Sequence, residues 1–216
     1  MVSRTRPAVP DGELYLTYTT LPAKSILHRV HQHRFEANQF NPTGSGDARF
    51  SPIRSAAGQI IPTLYAGTTF HCAAMETLFH EIPYAAGFKT HQRSLMQGNV
   101  HSRIKLSAEL TLVDLSSKAL RQLGIERSHL IDTDSDHYPY TRQWAEAIHR
   151  FSPHAQGLRW VSRQDDTAAA VVLFGDRVIS EDIALHSPSR DVLQDPATFD
   201  EVVKLAALIG VLLLDS

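Results

Sequence analysis

Hydrophobic and polar positions along the chain fall into short apolar runs, with helix-spaced stripes between some of them. Residues 25–30 read as a strand that follows a proline-containing leading segment. Residues 38–55 are dense in Gly, Pro, Ser and Asn and read as an irregular loop. Residues 60–66 are rich in β-formers, but Pro62 removes a ladder donor, which puts it at a strand start or a sheet edge. A helix is expected next. Thr68 or Thr69 caps it, Met75, Leu78, Phe79 and Ile82 form one apolar stripe, and Pro83 stops it.

Residues 110–115 read as a strand, and Ser116 or Ser117 opens a short helix that Gly124 closes. Residues 140–151 are helical by pattern, with Trp144 and Ile148 one turn apart. Residues 157–162 and 168–174 read as two late strands joined by a polar turn. Residues 200–214 are expected to form a terminal helix, apolar nearly all round and therefore buried in the core or in a subunit contact. Strands and helices do not alternate regularly, no long repeat recurs and no stretch reads as a linker. The expectation is one α+β domain over residues 1–216 with a mostly antiparallel sheet, not a doubly wound parallel fold.

Composition narrows the function classes. With 43% hydrophobic and 20% charged residues in 216, the chain can bury a sizeable core. A net charge of −2 supplies no global basic field, so direct nucleic-acid binding is not expected. The longest apolar stretch, residues 205–214, is about half of a membrane span, and residues 1–14 do not read as a signal peptide. The lone Cys72 allows no internal disulfide and fits a reducing, cytoplasmic compartment.

Several motifs lead nowhere. Asp132, Asp134 and Asp136 begin like a calcium loop, but His137 stands where a turn glycine is needed and Gln143 where a bidentate glutamate is needed. Gly44-Ser45-Gly46 lacks the rest of any phosphate-binding fingerprint. His31 and His33 could meet on one face of a strand, yet Glu36 alone among carboxylates stands nearby with ligand spacing, so surface or hydrogen-bonded histidines are the better reading and no metal is expected. On a continuous helix Glu76 and Glu81 would lie roughly 140° apart, which disfavours a glycosidase pair. No serine sits in a nucleophile elbow.

What remains is a set of arginines (Arg29, Arg34, Arg49, Arg54), Tyr65 and Glu76, held within less than a quarter of the chain. Glu76 falls on the flank of the apolar stripe, where a carboxylate can face a cleft. The plainer reading of spacing alone is a surface glutamate beside surface arginines.

Resemblance shifts that balance. Gly46-Asp47-Ala48-Arg49-Phe50-Ser51-Pro52, Thr63-Leu64-Tyr65-Ala66-Gly67-Thr68-Thr69 and Ala73-Ala74-Met75-Glu76-Thr77-Leu78 together resemble the RES domain family, named for its arginine, glutamate and serine. Gly157-Leu158-Arg159-Trp160-Val161-Ser162, followed by Val172-Leu173-Phe174, matches the segment carrying the serine, and His28-Arg29-Val30 resembles the family's opening strand. The similarity spans about residues 25–180. Trp160 stands where tyrosine is common, and the loop from Arg49 to Tyr65 is longer than usual, which unsettles the register of Arg54.

The resemblance implies an ADP-ribosyltransferase-like fold with a split, mostly antiparallel sheet and flanking helices. It implies a toxin of a bacterial type II toxin–antitoxin pair that consumes NAD+, with an Xre-type helix-turn-helix antitoxin as partner and a homo-oligomer assembled through it left open. The expected site is Glu76, Arg49, Tyr65 and Ser162, with Arg29 as a further nucleotide-binding residue. Glu76 would stabilise the oxocarbenium-like ribose, Arg49 and then Arg29 would hold the pyrophosphate, and Tyr65 would orient the nicotinamide. Ser162 would either bond the ribose or orient Glu76. The acceptor stays open between a protein, giving a mono-ADP-ribosyltransferase, and water or phosphate, giving an NAD+ glycohydrolase or phosphorylase. Residues 84–151 read as longer than a minimal domain needs, and extra surface there would suit a protein acceptor. The reading of a different class is a non-catalytic nucleotide or peptide binding module.

Overall fold

Apolar runs at period two and an all-buried strand at the centre shape the molecule around one large sheet. The computed structural model describes residues 7–215, the Ser180 side chain excepted. In chain order the strands and helices are β1 (Tyr18–Leu21), β2 (Ile26–Gln32), β3 (Ile53–Arg54), β4 (Ile60–Ile61), β5 (Thr63–Gly67), α1 (Phe70–Met75), β6 (Lys89–Gln92) and β7 (Asn99–Leu106). They continue with β8 (Leu110–Asp114), α2 (Ser117–Leu123), α3 (Arg127–Leu130), α4 (Tyr138–Phe151), β9 (Gly157–Val161), β10 (Ala169–Phe174), β11 (Ile183–Asp191), α5 (Pro196–Leu208) and β12 (Val211–Leu214).

Among the described residues, eight strands form a curled sheet in the order β1-β8-β9-β10-β5-β2-β7-β11, antiparallel throughout except at β8–β9. Strand β10 shows how its core is built. Ala170, Val172 and Phe174 enter one apolar cluster with Trp144, Ile148 and Trp160, while Val171 and Leu173 enter another with Leu64, Ile104 and Leu112. Successive side chains alternate across a sheet, so a continuous apolar run means burial on both faces. A third cluster packs α1 and α5 against Val30 of β2.

The sheet nearly parts in its middle. Strands β2 and β5 share one ladder pair, His28 with Gly67, whereas β2 pairs with β7 along its whole length and β10 with β5 over five positions. Two sub-sheets, β1-β8-β9-β10-β5 and β2-β7-β11, thus meet at a narrow seam.

Several expectations need correction. The helix after Thr69 ends at Met75, because the amides of Thr77, Leu78 and Phe79 all turn onto the Ala74 carbonyl. The stripe residues Met75, Leu78 and Phe79 are nevertheless buried. The C-terminal helix spans Pro196–Leu208, capped by Asp195, and left-handed Gly210 turns the chain into β12, which pairs in parallel with β6. Leu208 and Leu212 are exposed, so this segment is not apolar-buried all round. His33 lies past the end of β2, off the strand that carries His31. Residues 84–151 are not an appended surface, since β7, β8 and α4 belong to the main architecture. Strands β1, β6, β7 and β11 lie outside the expected elements, β3 forms within the expected irregular loop by pairing with β4, and residues 60–66 divide at Pro62 into β4 and β5. Among the described residues no helix is long and apolar enough to cross a membrane.

Candidate active site

At the seam between the sub-sheets lies a cavity of about 620 Å³, lined from one side by Arg29 and His31 of β2 and from the other by Tyr65 of β5. Glu76 closes it from the end of α1, and Arg49 and Tyr138 line it too. Gly67 lets this happen. A Cβ there would come within 2.9 Å of the Ala73 amide nitrogen, so only glycine lets α1 lie this close to the end of β5. Thr69 caps α1 through its side chain, which accepts from the Cys72 amide.

Glu76 occupies the C-cap of α1, where the helix dipole does not favour a carboxylate. Its Oε1 accepts a 2.6 Å hydrogen bond from Ser162 Oγ. Ser162 follows β9, is fully buried, and its oxygen also accepts from the amides of Gln164 and Asp165 at 3.0 Å each. With both lone pairs engaged, its hydroxyl proton is the one given to Glu76. Of the two roles the sequence leaves open for Ser162, the geometry matches orienting Glu76. Direct contact with a ribose does not fit a fully buried hydroxyl.

Arg49 is buried in the loop before β3. Its Nη1 donates to the Thr133 carbonyl at 3.2 Å and to the Thr133 hydroxyl, and its guanidinium lies over the Tyr138 ring at 5.1 Å. Burial lowers its pKa, with Tyr138 and Glu76 opposing the shift. The remaining donors of the planar fork carry no protein hydrogen bond among the described residues, which leaves them for an anion. Tyr65 Oη accepts from the Phe50 amide at 2.8 Å, and burial raises its pKa, so the phenol stays protonated. Its ring meets Trp160 edge-on at 6.1 Å.

Arg29 uses Nη1 to hold the carbonyls of Glu36, Ala37 and Gln39, and burial brings its pKa down to about 10, still cationic at neutral pH. Beside it His31 is pushed down to about 4 by burial and by Arg29, and so is neutral. Burial raises the Cys72 thiol to about 12, which makes it a poor nucleophile.

The structure therefore brings Glu76, Ser162, Arg49, Tyr65 and Arg29 to one place. Arg34 and Arg54 are exposed and lie outside the cavity, Arg34 against Phe35 and Arg54 on the Gly58 carbonyl. Glu81 also borders the cavity, because the helix that would have turned it away from Glu76 ends before it. Sequence reasoning missed Tyr138, His80 and Thr133. The acidic loop that resembles a calcium site instead delivers Thr133 to Arg49, while Asp132, Asp134 and Asp136 pair with Arg127, Arg163 and His137. Nothing in its spacing signalled that role. Among the described residues no group of three His, Cys, Asp or Glu is placed to hold a metal ion.

A cavity of this size with a guanidinium fork, an aromatic wall and one fixed carboxylate has the donor set for a dinucleotide: a cationic fork for pyrophosphate, and a carboxylate for ribose hydroxyls. No curated protein matches the chain. A model of the RES domain, a family associated in general with NAD-using enzymes, matches residues 26–193. The match includes every residue of the cavity named above and most of the sequence, and the chain belongs to the RES domain family.

Proposed function

We propose that this chain uses NAD+ to transfer ADP-ribose and acts as the toxin of a type II toxin–antitoxin pair, a mono-ADP-ribosyltransferase that modifies a cellular protein. One observation carries the reading: a carboxylate, Glu76, fixed by a buried serine on the wall of a cavity that also presents Arg49 and Tyr65. Cleavage of the nicotinamide–ribose bond develops positive charge on the ribose, and the departing nicotinamide is neutral because its ring was already cationic. No general acid is required. Glu76 holds ribose hydroxyls and stabilises the charge that develops, Arg49 and Arg29 neutralise pyrophosphate, and Tyr65 orients the nicotinamide. Ser162 keeps the Glu76 carboxylate in one orientation before the reaction, which lowers the reorganisation it would otherwise need.

The cognate partner in this reading is an Xre-type helix-turn-helix antitoxin whose tail covers the cavity mouth. Exposed Tyr84 and Phe88, on the segment leading away from Glu81, offer apolar surface for a protein acceptor.

Incubation of the chain with NAD+ labelled in its ADP-ribose half and a cell lysate tests this directly. Label on a discrete protein band is the expected result. Free ADP-ribose or its phosphate ester alone would replace transfer by hydrolysis or phosphorolysis. Glu76→Gln should lower nicotinamide release by at least about 10²-fold, with the thermal midpoint nearly unchanged because the amide oxygen can still accept from Ser162. An unaltered rate would remove Glu76 from the chemistry and favour a binding module.

A further inference from the structure

Next to the residues assigned above, the cavity wall carries three polar side chains in a line that the chemistry has not used. His80 Nδ1 lies 2.7 Å from Glu81 Oε1, and His80 Nε2 lies 3.2 Å from the Tyr138 hydroxyl. All three residues line the cavity. An ionised carboxylate only accepts, so Nδ1 carries the proton. In the neutral imidazole Nε2 is then an acceptor, and the phenol donates to it. Exposure rises steadily along the line, from 3% for Tyr138 to 28% for the His80 side chain and 89% for that of Glu81. The chain of hydrogen bonds starts at a buried wall and ends in solvent.

We propose that Tyr138, His80 and Glu81 form a proton relay that removes a proton from the nucleophile accepting ADP-ribose. This rests on the transfer reaction proposed above and names its acceptor class: one that carries a proton, such as a hydroxyl, an amide, a guanidinium or water. The balance requires it. As the acceptor's oxygen or nitrogen bonds to the ribose carbon, the bond to nicotinamide breaks and its electron pair leaves with neutral nicotinamide. The acceptor's own proton is left over. Glu76 is occupied by the ribose and by Ser162. Tyr138 oxygen takes the proton while its phenol proton passes to His80 Nε2, and the resulting imidazolium is held by the Glu81 carboxylate until solvent removes the charge. An acceptor already ionised, such as phosphate dianion or a carboxylate, needs no such arm.

The surroundings suit a phenol that shuttles a proton without remaining ionised. Burial raises the Tyr138 pKa, Arg49 and Arg163 act to lower it, and Glu76 and Glu81 act to raise it. The Gln164 side chain donates to the His80 carbonyl at 3.3 Å, which fixes the backbone from which the imidazole projects.

The test follows nicotinamide release from NAD+ by the full-length chain, with lysate as acceptor source, from about pH 5 to 9. His80→Gln keeps hydrogen-bonding capacity without basicity. It should slow release by about 10²-fold near neutral pH and flatten the wild-type fall in rate on the acid side. His80→Ala should regain rate when imidazole is added, an effect no purely structural role would give. Glu81→Gln, at an exposed carboxylate with little bearing on folding, should cost several-fold and change the same acid limb. Wild-type turnover with an unchanged His80→Gln profile overturns the relay alone. So does release that depends wholly on inorganic phosphate and is equal in wild type and His80→Gln. A wild-type chain that releases no nicotinamide at any pH overturns the transfer reading and the relay together.

Discussion

The two sub-sheets that meet at the cavity are built from different material. The β8-β9-β10-β5 side is apolar on both faces around β10, and Trp160 lies edge-on to Phe50 at 5.0 Å and to Tyr65 at 6.1 Å. The β2-β7-β11 side is stitched by polar contacts across its strands: His31 Nε2 to Ser102 Oγ at 2.8 Å, Ser102 to Ser189 at 2.6 Å, and His28 stacked on His101. Tyr65 and the serine that orients Glu76 belong to the apolar side, and Arg29 to the polar one. A site that must hold a carboxylate to within a fraction of an ångström gains from the close-packed support. Arg29 is placed instead by hydrogen bonds, its Nη1 held by the carbonyls of Glu36, Ala37 and Gln39.

The largest effect should come from opening the apolar side. Trp160→Ala removes an almost fully buried indole and should destabilise the chain by about 3–5 kcal/mol in denaturant unfolding. Ser102→Ala, on the polar side, deletes no bulk but leaves the His31 ring nitrogen without its partner, at about 1–3 kcal/mol. Equal losses from the two would mean that the sub-sheets do not differ in the way described.

The same contrast decided what was legible in the sequence. On the apolar side β8, β9 and β10 were readable, because residues 110–115 and 168–174 are runs that only a buried strand accommodates. Strands β7 and β11, with sequences Asn-Val-His-Ser-Arg-Ile-Lys-Leu and Ile-Ala-Leu-His-Ser-Pro-Ser-Arg-Asp, carry too many polar residues to look buried. They are strands because neighbours complete their hydrogen bonds, which is tertiary information. Glu76, Arg49 and Tyr65 were legible through motif resemblance more than through periodicity. The short α1 was not, since its end depends on the convergence of three amides on Ala74, which no spacing rule encodes. Tyr138 and His80 reach the cavity from a helix start and a turn, and Thr133 reaches only Arg49, where sequence separation from Glu76 says nothing of proximity.

A second, smaller effect separates the sub-sheets by pH. His31 and His101 on the polar side are both pushed down to about 4, mainly by burial, so both are neutral in the folded chain. In the unfolded chain they titrate near about 6.5. Between those values the unfolded state binds more protons, so stability is complete above about pH 6.5 and is lost as pH falls toward about 4. Because the two are partly screened by solvent and His31 itself helps to lower His101, they should together cost on the order of 2 kcal/mol on going from neutral pH to about pH 5. Denaturant midpoints at the two pH values measure this. His101→Gln should shrink the difference, while Trp160→Phe, on the apolar side, should leave it as in the wild type. A pH effect untouched by His101→Gln would place the proton uptake elsewhere.

The smallest effect is expected outside the seam, at the two arginines of the family-like stretch that do not reach it. Arg34 lies 4.9 Å from the centre of the Phe35 ring and Arg54 donates to the Gly58 carbonyl, both on the exposed surface. Exposed contacts of this kind are worth little, so Arg34→Ala and Arg54→Ala should each shift stability by less than about 0.5 kcal/mol. Nicotinamide release should be unchanged, because neither guanidinium lines the cavity in which Arg49 and Arg29 stand. A clear rise in the NAD+ concentration needed for half-maximal rate in Arg34→Ala would mean that bound nucleotide extends past the seam onto the loop beyond β2. The division of labour between a close-packed carboxylate side and a polar cationic side would then have to be redrawn to include that loop.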